Sequence, residues 1–278
     1  MIGRRSCAAA VLGCVLGVLR YSGAMASDRV SATPQHAAAG GVFTIGLRPD
    51  AARPAARVDD TAALPGVLDT LGVPRRRPVI VLIGGAGKLG EADAAAAAAA
   101  IEAAVVPVAM ERRAVVVDGG TDSGIMRFAG EARSKLDPSL TLVGVAAIGT
   151  VSFPGHRATR DDAAPLQPDH THFVLVGGGE WGDESPWLPR VGAAIAEGRP
   201  VVTVLINGGA VSAQDVRRSV QAGFPVVVVR GTGRLADELA AGGESKDDLA
   251  DIVRSPLVHI SESARPEAVR PVIAKLLE

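Results

Sequence analysis

The stretch "VVVDGGTDSGIM", which covers residues 115–126, indicates the fold class of this 278-residue chain. Three consecutive valines and an aspartate are followed by three glycines within the six residues 119–124. A continuous β-branched run without polar alternation is typical of a strand that is buried on both faces, as in a parallel sheet. A tight turn needs only one glycine, so the pair Gly119 and Gly120 predicts that something approaches the backbone closely here.

Apolar runs of the same kind recur along the chain after Pro78. Most of them are separated by stretches with helical periodicity, such as "SAQDVRRSVQAG" at 212–223. Strands that alternate with helices are typical of an α/β protein, and we expect a doubly wound, mainly parallel sheet flanked by helices. The runs that predict this sheet lie at 79–84, 114–119, 141–149, 172–178, 200–208 and 225–231, with a weaker one at 256–261.

The composition argues against several classes of function. Lys and Arg number 29 and Asp and Glu number 30, so the net charge of −1 gives no basic excess for nucleic acid. Aromatic residues make up only 3% of the chain, which argues against platforms for base stacking. Both cysteines, Cys7 and Cys14, lie close to the N-terminus, so the rest of the chain holds neither a disulfide framework nor a cysteine metal site.

The first 77 residues differ from the rest in pattern. Residues 1–26 combine the basic "MIGRR", the apolar "SCAAAVLGCVLGVL" and a small-residue "AMA", which is the outline of a secretory signal; alternatively, Met25 is the true start of translation. Residues 27–77 predict an irregular extension, in which 41–47 can form a short strand and 61–73 a short helix. We expect the domain proper at 78–278, no membrane span and a cytoplasmic location, with export through a signal ending near Ala26 as the alternative.

Nearly every apolar run ends in glycine. The run ends read "GGAGKLG" (84–90), "GGTDSG" (119–124), "GGGEWGDE" (177–184), "NGG" (207–209) and "GTGR" (231–234). The carboxyl ends of parallel strands form one edge of an open α/β sheet, and ligands bind there. Glycine lets backbone amides reach a ligand, and the helix that follows adds a positive dipole end, so the pattern predicts a phosphate or pyrophosphate site. None of these loops is a Walker motif or a G-x-G-x-x-G fingerprint.

The order of these motifs resembles the SLOG superfamily. "VVVDGGTDSGIMRFAGEA", "TLVGVAAIGTV", "HTHFVLVGGGEWGDE", "GRPVVTVLINGG" and "FPVVVVRGTGRLADELA" are similar, in this order, to segments of the SLOG domain of melastatin-type TRP channels and of its prokaryotic stand-alone relatives, the LSDAT group. The resemblance covers about residues 78–241. It implies a Rossmann-like sheet that recognises a nucleotide or a nucleotide derivative, which in some channel members is ADP-ribose. No cofactor is predicted beyond such a ligand.

The candidate ligand-binding residues come from the glycine loops. Arg234 is the best charged candidate, because a guanidinium can hold a phosphate through two hydrogen bonds. From the first loop we take Gly84, Gly85 and Gly87, and the resemblance adds Gly119, Gly120, Thr121, Asp122, Ser123, Gly124, Gly177, Gly178, Gly179, Gly208, Gly209, Gly231, Thr232, Gly233 and Arg234. We expect Thr121 and Ser123 to offer hydroxyls and one of them to cap the next helix, and Asp122 either to cap it or to accept from a ribose hydroxyl.

The superfamily also contains the Lonely guy enzymes, which hydrolyse nucleoside monophosphates to base and ribose phosphate. Their Pro-Gly-Gly-x-Gly-Thr signature is broken here, because the matching place reads "VGGGEWGDES". Glu184 is the candidate for the catalytic glutamate, and Arg157 or Arg160 for the arginine. His170 and His172 could lie on one side of a strand, but no third metal ligand is evident, so we expect them to be structural and predict no metal site.

Three functions remain open from the sequence. The first is the sensing of a nucleotide, with a homo-oligomer or an effector protein as partner. The second is hydrolysis of an N-glycosidic bond, and the third is an interaction module whose glycine edge is only structural. An arginine and a glutamate that converge on one pocket favour hydrolysis, whereas donors without a carboxylate base favour sensing.

Removal of residues 1–26 is expected to leave the sheet domain intact. Whether this segment is a signal or precedes the true start, it adds no apolar run to the predicted sheet. The melting temperatures of the full chain and of a chain that starts at Ser27 should therefore agree closely. A large drop on truncation would mean that the segment belongs to the fold.

Overall fold

A nine-stranded sheet forms the centre of the protein, whose computed structural model describes residues 41–49, 51–87, 89–242 and 249–278. Residues 1–26 therefore lie outside the described part of the chain. The strands are β1 (Val42–Arg48), β2 (Ala51–Val58), β3 (Val79–Gly84), β4 (Val115–Asp118), β5 (Leu142–Ala147), β6 (Val151–Ser152), β7 (Ala164–Pro165), β8 (His172–Val176), β9 (Val201–Ile206), β10 (Val226–Val229) and β11 (Val258–Ile260). The helices are α1 (Leu64–Leu71), α2 (Glu91–Ala100), α3 (Val106–Arg112), α4 (Gly124–Leu136), α5 (Trp187–Ala196), α6 (Ala210–Gln221), α7 (Arg234–Ala240), α8 (Ala250–Val253) and α9 (Pro266–Leu276).

The strand order of the sheet is β1-β2-β8-β5-β4-β3-β9-β10-β11, and β6 and β7 form a separate parallel pair. Within the large sheet, β1 and β2 pair antiparallel and the other neighbours pair parallel. The six strands expected between residues 79 and 229 all belong to its parallel part. The prediction of a Rossmann-like, doubly wound α/β fold is confirmed.

Helices cover both faces of the sheet, which explains the continuous apolar runs. Along β3, Val79, Val81 and Ile83 face the layer of α1, α5, α6, α7 and α8. Ile80 and Leu82 face the layer of α2, α3, α4 and α9. Since successive side chains of a strand point to opposite faces, a strand between two helical layers needs apolar residues at every position.

The segment expected to be an irregular extension differs in its described part. Residues 42–58 form the hairpin of β1 and β2, and β2 pairs in parallel with β8, so the sheet begins at Val42 and not after Pro78. Ala55, Ala56 and Val58 are fully buried there. The sequence of β2, "AARPAARV", lacks a β-branched run, so its extended form comes from tertiary pairing with β8 and not from local propensity.

The alanine-rich helix is long and apolar. A π-helical turn at Ile101–Val105 joins α2 and α3 into one helix over Glu91–Arg112, which by length and hydropathy alone could cross a membrane. Its inward face, which includes Ala97, Ala100 and Ala104, is completely buried against the sheet. This packing is that of the core helix of an α/β sheet, in which alanine permits a close approach.

The loop after β4 crosses β5 where two glycines meet. Gly120 has a φ of +68°, and a Cβ placed on it would lie 2.9 Å from the Cα of Gly144. The buried carboxylate of Asp118 fixes this crossing, because its Oδ1 accepts from the amide of Gly120 at 2.8 Å and pairs with Nε2 of His170 at 2.7 Å. The close approach that the double glycine predicts is therefore, at Gly120, an approach of backbone to backbone.

Gly120→Ala is expected to destabilise the protein strongly. The added methyl group meets Gly144 and forces a left-handed conformation on a residue with a side chain, at a cost on the order of 2–4 kcal/mol. Gly87→Ala is the matched control, because a Cβ on Gly87 has nothing within 4 Å and its φ is not positive. Chemical denaturation should show a loss for the first variant only, and equal stability of both variants would contradict the crossing.

Candidate functional site

A cavity of about 520 Å³ opens at the carboxyl end of β3. β3 lies between β4 and β9 in the sheet. After β3 the chain adds β4, β5 and β8 on one side, and it then crosses to the other side of β3 to add β9 and β10. This is the point at which the winding of the sheet reverses, where ligands of doubly wound folds bind. Residues from the loops after β3, β4 and β9 line the cavity together with Arg234, which begins the helix after β10, so these segments share one edge as expected.

The cavity brings together about half of the predicted site residues. The candidates that line it are Gly84, Gly85, Gly87, Gly119, Thr121, Ser123, Gly209 and Arg234, together with Glu184. The candidates that do not are Gly120, Asp122, Gly124, Gly177, Gly178, Gly179, Gly208, Gly231, Thr232 and Gly233, together with Arg157. The binding role of the first group remains a prediction.

Several of the predicted site residues that do not line the cavity have a structural role. Thr232 is fully buried, and its hydroxyl accepts from the amide of Asn207 at 2.8 Å and donates to the carbonyl of Val229. A Cβ on Gly124 would overlap the carbonyl oxygen of Gly85, so this glycine lets the start of α4 pack against the loop after β3. Asp122 lines a separate depression, together with Leu47, residues 152–154, Pro165, Leu166 and Pro168.

Several backbone amides of the loop after β4 are hydrogen-bonded within the protein, which differs from the expectation that they are free for a ligand. The glycine loops predict backbone amides that reach a ligand, but three of the amides between residues 120 and 124 are hydrogen-bonded within the protein. Gly120 N donates to Asp118, Asp122 N to the carbonyl of Pro165, and Ser123 N to the carbonyl of Thr121. The amide of Ile125 in the first turn of α4 donates to Gly85 O at 3.0 Å. Ser123 occupies the N-cap position of α4 but makes no side-chain capping bond.

The start of α6 is a better donor site than the start of α4. Gly209 is its N-cap residue and has no side chain to occupy the first-turn amides. Within the described residues, the amides of Ala210, Val211 and Ser212 have no hydrogen-bond acceptor, as is usual for the first turn of a helix. Gly209, Ala210, Val211 and Ser212 all line the cavity, so the positive end of this helix dipole faces it.

Arg234 lies beside the start of α6. A Cβ placed on Gly209 would lie 2.6 Å from Nη2 of Arg234, so the guanidinium lies directly over this glycine. Nη1 of Arg234 makes long contacts of 3.4 Å to Gly87 O and 3.5 Å to Asn207 Oδ1. In the part of the chain that the structure describes, it forms no ion pair. Its donors are therefore available to an anion in the cavity.

Two carboxyl groups besides that of Asp162 also line the cavity. Glu184 Oε2 accepts from the amide of Gly182 at 3.1 Å, and burial raises the pKa of the Glu184 carboxyl. Asp215 on α6 is only 7% exposed, and its Oδ1 is buried without a hydrogen-bond partner. Burial above all, and the neighbouring Glu184, raise the pKa of Asp215 to about 7, while the hydroxyl of Ser185 acts in the opposite direction.

The wall next to Glu184 is held by a polar cluster at the rim. Trp181 Nε1 donates to Asp162 Oδ2 at 3.1 Å, and Arg160 pairs with both Asp162 and Glu180. Trp181 and Asp162 line the cavity, whereas Arg160 and Arg157 do not. The arginine that shares the cavity with Glu184 is Arg234. The remaining walls are apolar and consist mainly of Leu82, Met126, Leu188 and Val211.

Sequence reasoning missed Asp215. It stands in "SAQDVRRSVQAG", where an acidic residue in an amphipathic helix is typical of an exposed face. The one signal that could have found it is its register, because Ser212, Asp215, Val216 and Ser219 recur at helical spacing and are all buried.

The two histidines have protein partners. His170 is completely buried and contacts Asp118 through Nε2 and Gln167 Oε1 through Nδ1. His172 Nδ1 contacts the hydroxyl of Thr171, and burial lowers the pKa of its ring to about 4. The described residues contain no group of three or more His, Cys, Asp or Glu side chains that could hold a metal ion.

Comparisons with known proteins agree with the resemblance. The family model described as "SLOG in TRPM, prokaryote" matches residues 77–269, which is more than half of the chain. Transient receptor potential cation channel subfamily M member 2 from Mus musculus is 27% identical over 171 residues, and member 7 from Homo sapiens is 28% identical over 167 residues. These matches cover 49% of this chain but only 11% and 9% of the respective channels, so the chain spans about a tenth of their length.

Solved structures with a similar course of the chain include two at 16% sequence identity. One is the molybdenum cofactor binding protein from Rippkaea orientalis, with a TM-score of 0.49, and the other is the molybdenum cofactor carrier protein from Chlamydomonas reinhardtii, with a TM-score of 0.48. Each match covers 73% of this chain and 99% of the other. On the evidence of the family model, the chain belongs to the prokaryotic family of SLOG domains that are related to those of TRPM channels.

Proposed function

We propose that the cavity binds a nucleotide derivative of the ADP-ribose type, and that the protein senses this ligand. The observation that carries the proposal is the convergence of Arg234 and the first-turn amides of α6 on one cavity wall. Family membership supports it, because the SLOG resemblance implies recognition of nucleotide derivatives.

The start of α6 is suited to a phosphate or diphosphate. Free amides at a helix start and the positive end of its dipole both favour negative charge. Arg234 adds a guanidinium that can hold two phosphate oxygens at once, with no competing ion pair in the described residues. The small residues Gly84, Gly85 and Gly87 line the same cavity and leave room for an anion beside the strand end.

The size and the walls of the cavity suit a nucleotide. Ligand pockets commonly have volumes of roughly 300–1,000 Å³ and apolar walls with a few polar groups. The cavity of about 520 Å³ lies in this range, and Leu82, Met126, Leu188 and Val211 supply apolar surface. Trp181 adds an aromatic ring whose indole nitrogen already has a partner. Read-out of binding by a second copy of the chain or by an effector protein remains a prediction from the sequence.

Hydrolysis of an N-glycosidic bond is the second candidate. The observation that favours it is that Glu184 and Arg234 line the same cavity, which meets the criterion of a converging arginine and glutamate. Against it, the Pro-Gly-Gly-x-Gly-Thr signature is broken, and Arg157 lies outside the wall.

Arg234→Ala is expected to weaken the binding of ADP-ribose. Loss of a charge-assisted pair costs on the order of 1.5–3 kcal/mol, which corresponds to roughly ten- to hundred-fold in affinity. Arg199→Ala is the control, since Arg199 is an exposed arginine that precedes β9, at the opposite end of this strand from the cavity. Calorimetric titration should show weaker binding for the first variant only. If wild type binds and Arg234→Ala binds equally well, the site lies elsewhere.

The chain is expected not to release adenine from AMP at ordinary enzyme rates. The reason is the altered loop at 177–184, which lacks the Gly-Thr and the proline of the hydrolase signature. Chromatography of AMP after prolonged incubation with the protein measures this directly. Rapid release of the free base that Glu184→Gln abolishes would establish the hydrolase in place of the sensor.

A further inference from the structure

The cavity contains a polar region that the phosphate site does not use. Asp215 lies five residues after Ala210, which places it about 7–8 Å further along α6 than the first-turn amides. Glu184, Ser185 and Trp181 come from the loop before α5, and Glu184 and Trp181 line the cavity together with Asp215. A ligand that starts with its phosphate at Arg234 and extends along α6 therefore reaches these two carboxyl groups.

The polar groups of this region are incompletely satisfied. Oδ1 of Asp215 and Oγ of Ser185 are both buried, and neither makes a hydrogen bond of regular geometry to another described residue, although the Ser185 hydroxyl lies near enough to the carboxyl group to lower its pKa. A buried polar group without a partner costs roughly 1–3 kcal/mol, so such groups are uncommon in folded proteins unless a ligand or water completes them. An apolar residue at position 215 would fit the neighbouring core, where Val216 and Ala213 are buried. The carboxyl group of Asp215 is therefore a candidate for ligand recognition.

We propose that Asp215, in its protonated form and next to Glu184, recognises the edge of a nucleobase that presents a ring nitrogen beside an exocyclic amine, as adenine does. This inference rests on the proposed function and specifies which part of the nucleotide occupies this end of the cavity. It makes Asp215 a determinant of specificity.

A neutral carboxyl group is complementary to the edge of adenine that presents a ring nitrogen beside an exocyclic amine. Its O–H donates to the ring nitrogen while its carbonyl oxygen accepts from the amine, so two hydrogen bonds form side by side. Hypoxanthine presents an N–H and a carbonyl oxygen at the same place. It pairs with a neutral carboxyl only when the proton moves to the other oxygen, so a preference for adenine depends on which oxygen of Asp215 carries the proton. Trp181 and Leu188 provide flat apolar surface for the ring.

The surroundings of Asp215 favour the neutral form. Burial and Glu184 raise the pKa of Asp215 to about 7. The strands that pack against α6, β3, β9 and β10, carry no titratable residues. Other charged side chains near α6 have their own roles: Arg217 pairs with Asp251 of α8, Asp237 of α7 accepts from the amides of Gly231 and Gly233, and Arg190 of α5 is exposed. Arg234 and Asp162 are the further charged groups that line the cavity.

The affinity for ADP-ribose is expected to fall as the pH rises. Only the protonated fraction of Asp215 is competent, so the apparent affinity falls by this fraction as the pH rises above the pKa. Between about pH 6 and pH 8.5 the affinity for ADP-ribose should fall roughly ten- to thirty-fold. ADP-ribose is the suitable probe because its diphosphate diester has no proton that titrates in this range.

The experiment is calorimetric titration of ADP-ribose, and of its deaminated analogue with hypoxanthine, into wild type, Asp215→Asn and Asp215→Leu. The amide of asparagine carries a donor and an acceptor like a neutral carboxyl, so this variant should bind within a few-fold of wild type at low pH and show no fall at high pH. Leucine is of similar size but offers neither group, so Asp215→Leu should bind at least ten-fold more weakly than wild type at low pH. Wild type should discriminate against the hypoxanthine analogue.

The outcomes separate this inference from the proposed function. ADP-ribose binding that depends on Arg234 but is the same in Asp215→Leu, or is independent of pH in wild type, overturns the role of Asp215 and leaves the phosphate site standing. Binding that requires Mg²⁺ at the carboxyl pair assigns the pair to a cation and overturns the inference as well. Failure of all nucleotides to bind at any pH removes both. Melting temperatures of the two variants verify that they are folded.

Discussion

The contact between the backbones of Gly120 and Gly144 sets the course of the loop after β4, and the rest of the site depends on it. With a side chain at either position, the loop could not cross β5 at this distance. The crossing turns the chain toward β3, where Gly119, Thr121 and Ser123 reach the cavity wall. Asp118 and His170, both completely buried, hold the turn from below. This part of the cavity wall is therefore continuous with the core.

A second constraint comes from which backbone amides are already hydrogen-bonded within the protein. The amides around the start of α4 are bound by the protein's own carbonyl and carboxylate oxygens, whereas those at the start of α6 are free within the described residues. The two helix starts have similar glycine-rich sequences, so local pattern does not separate them. The difference arises because Gly124 packs against the loop after β3, while Gly209 packs under the guanidinium of Arg234. The proposed anion site is therefore assigned to the start of α6 and Arg234.

The sequence predicts the parallel sheet well because burial on both faces imposes the same requirement at every position of a strand. The runs at β3, β4, β9 and β10 are continuous for this reason, and the glycines that follow them reach the shared edge. β2 could not be predicted, since its alanines, proline and arginines become a strand only by pairing with β8. Gly85 and Gly120 are both glycines in loops that follow a strand, yet only Gly85 lines the cavity. The sequence does not separate them, because Gly120 is placed by its contact with the backbone of Gly144. Asp215 could not be placed either, because burial of a helical acid is decided by the helices and loops around it.

The sensing and hydrolysis hypotheses require different protonation states of the carboxyl groups of Glu184 and Asp215. A general base must be ionised at the working pH, whereas a carboxyl group that donates a hydrogen bond to a ring nitrogen must be neutral. Burial raises the pKa of both Glu184 and Asp215, and the neighbouring Glu184 raises that of Asp215 further. With a pKa of about 7, Asp215 is divided between its two forms at neutral pH, so the same environment suits it for hydrogen-bond donation at lower pH and for general-base catalysis at higher pH. The proposed recognition of adenine and the hydrolysis hypothesis therefore require opposite protonation states of one carboxyl group, and the pH dependence of binding and of base release distinguishes them.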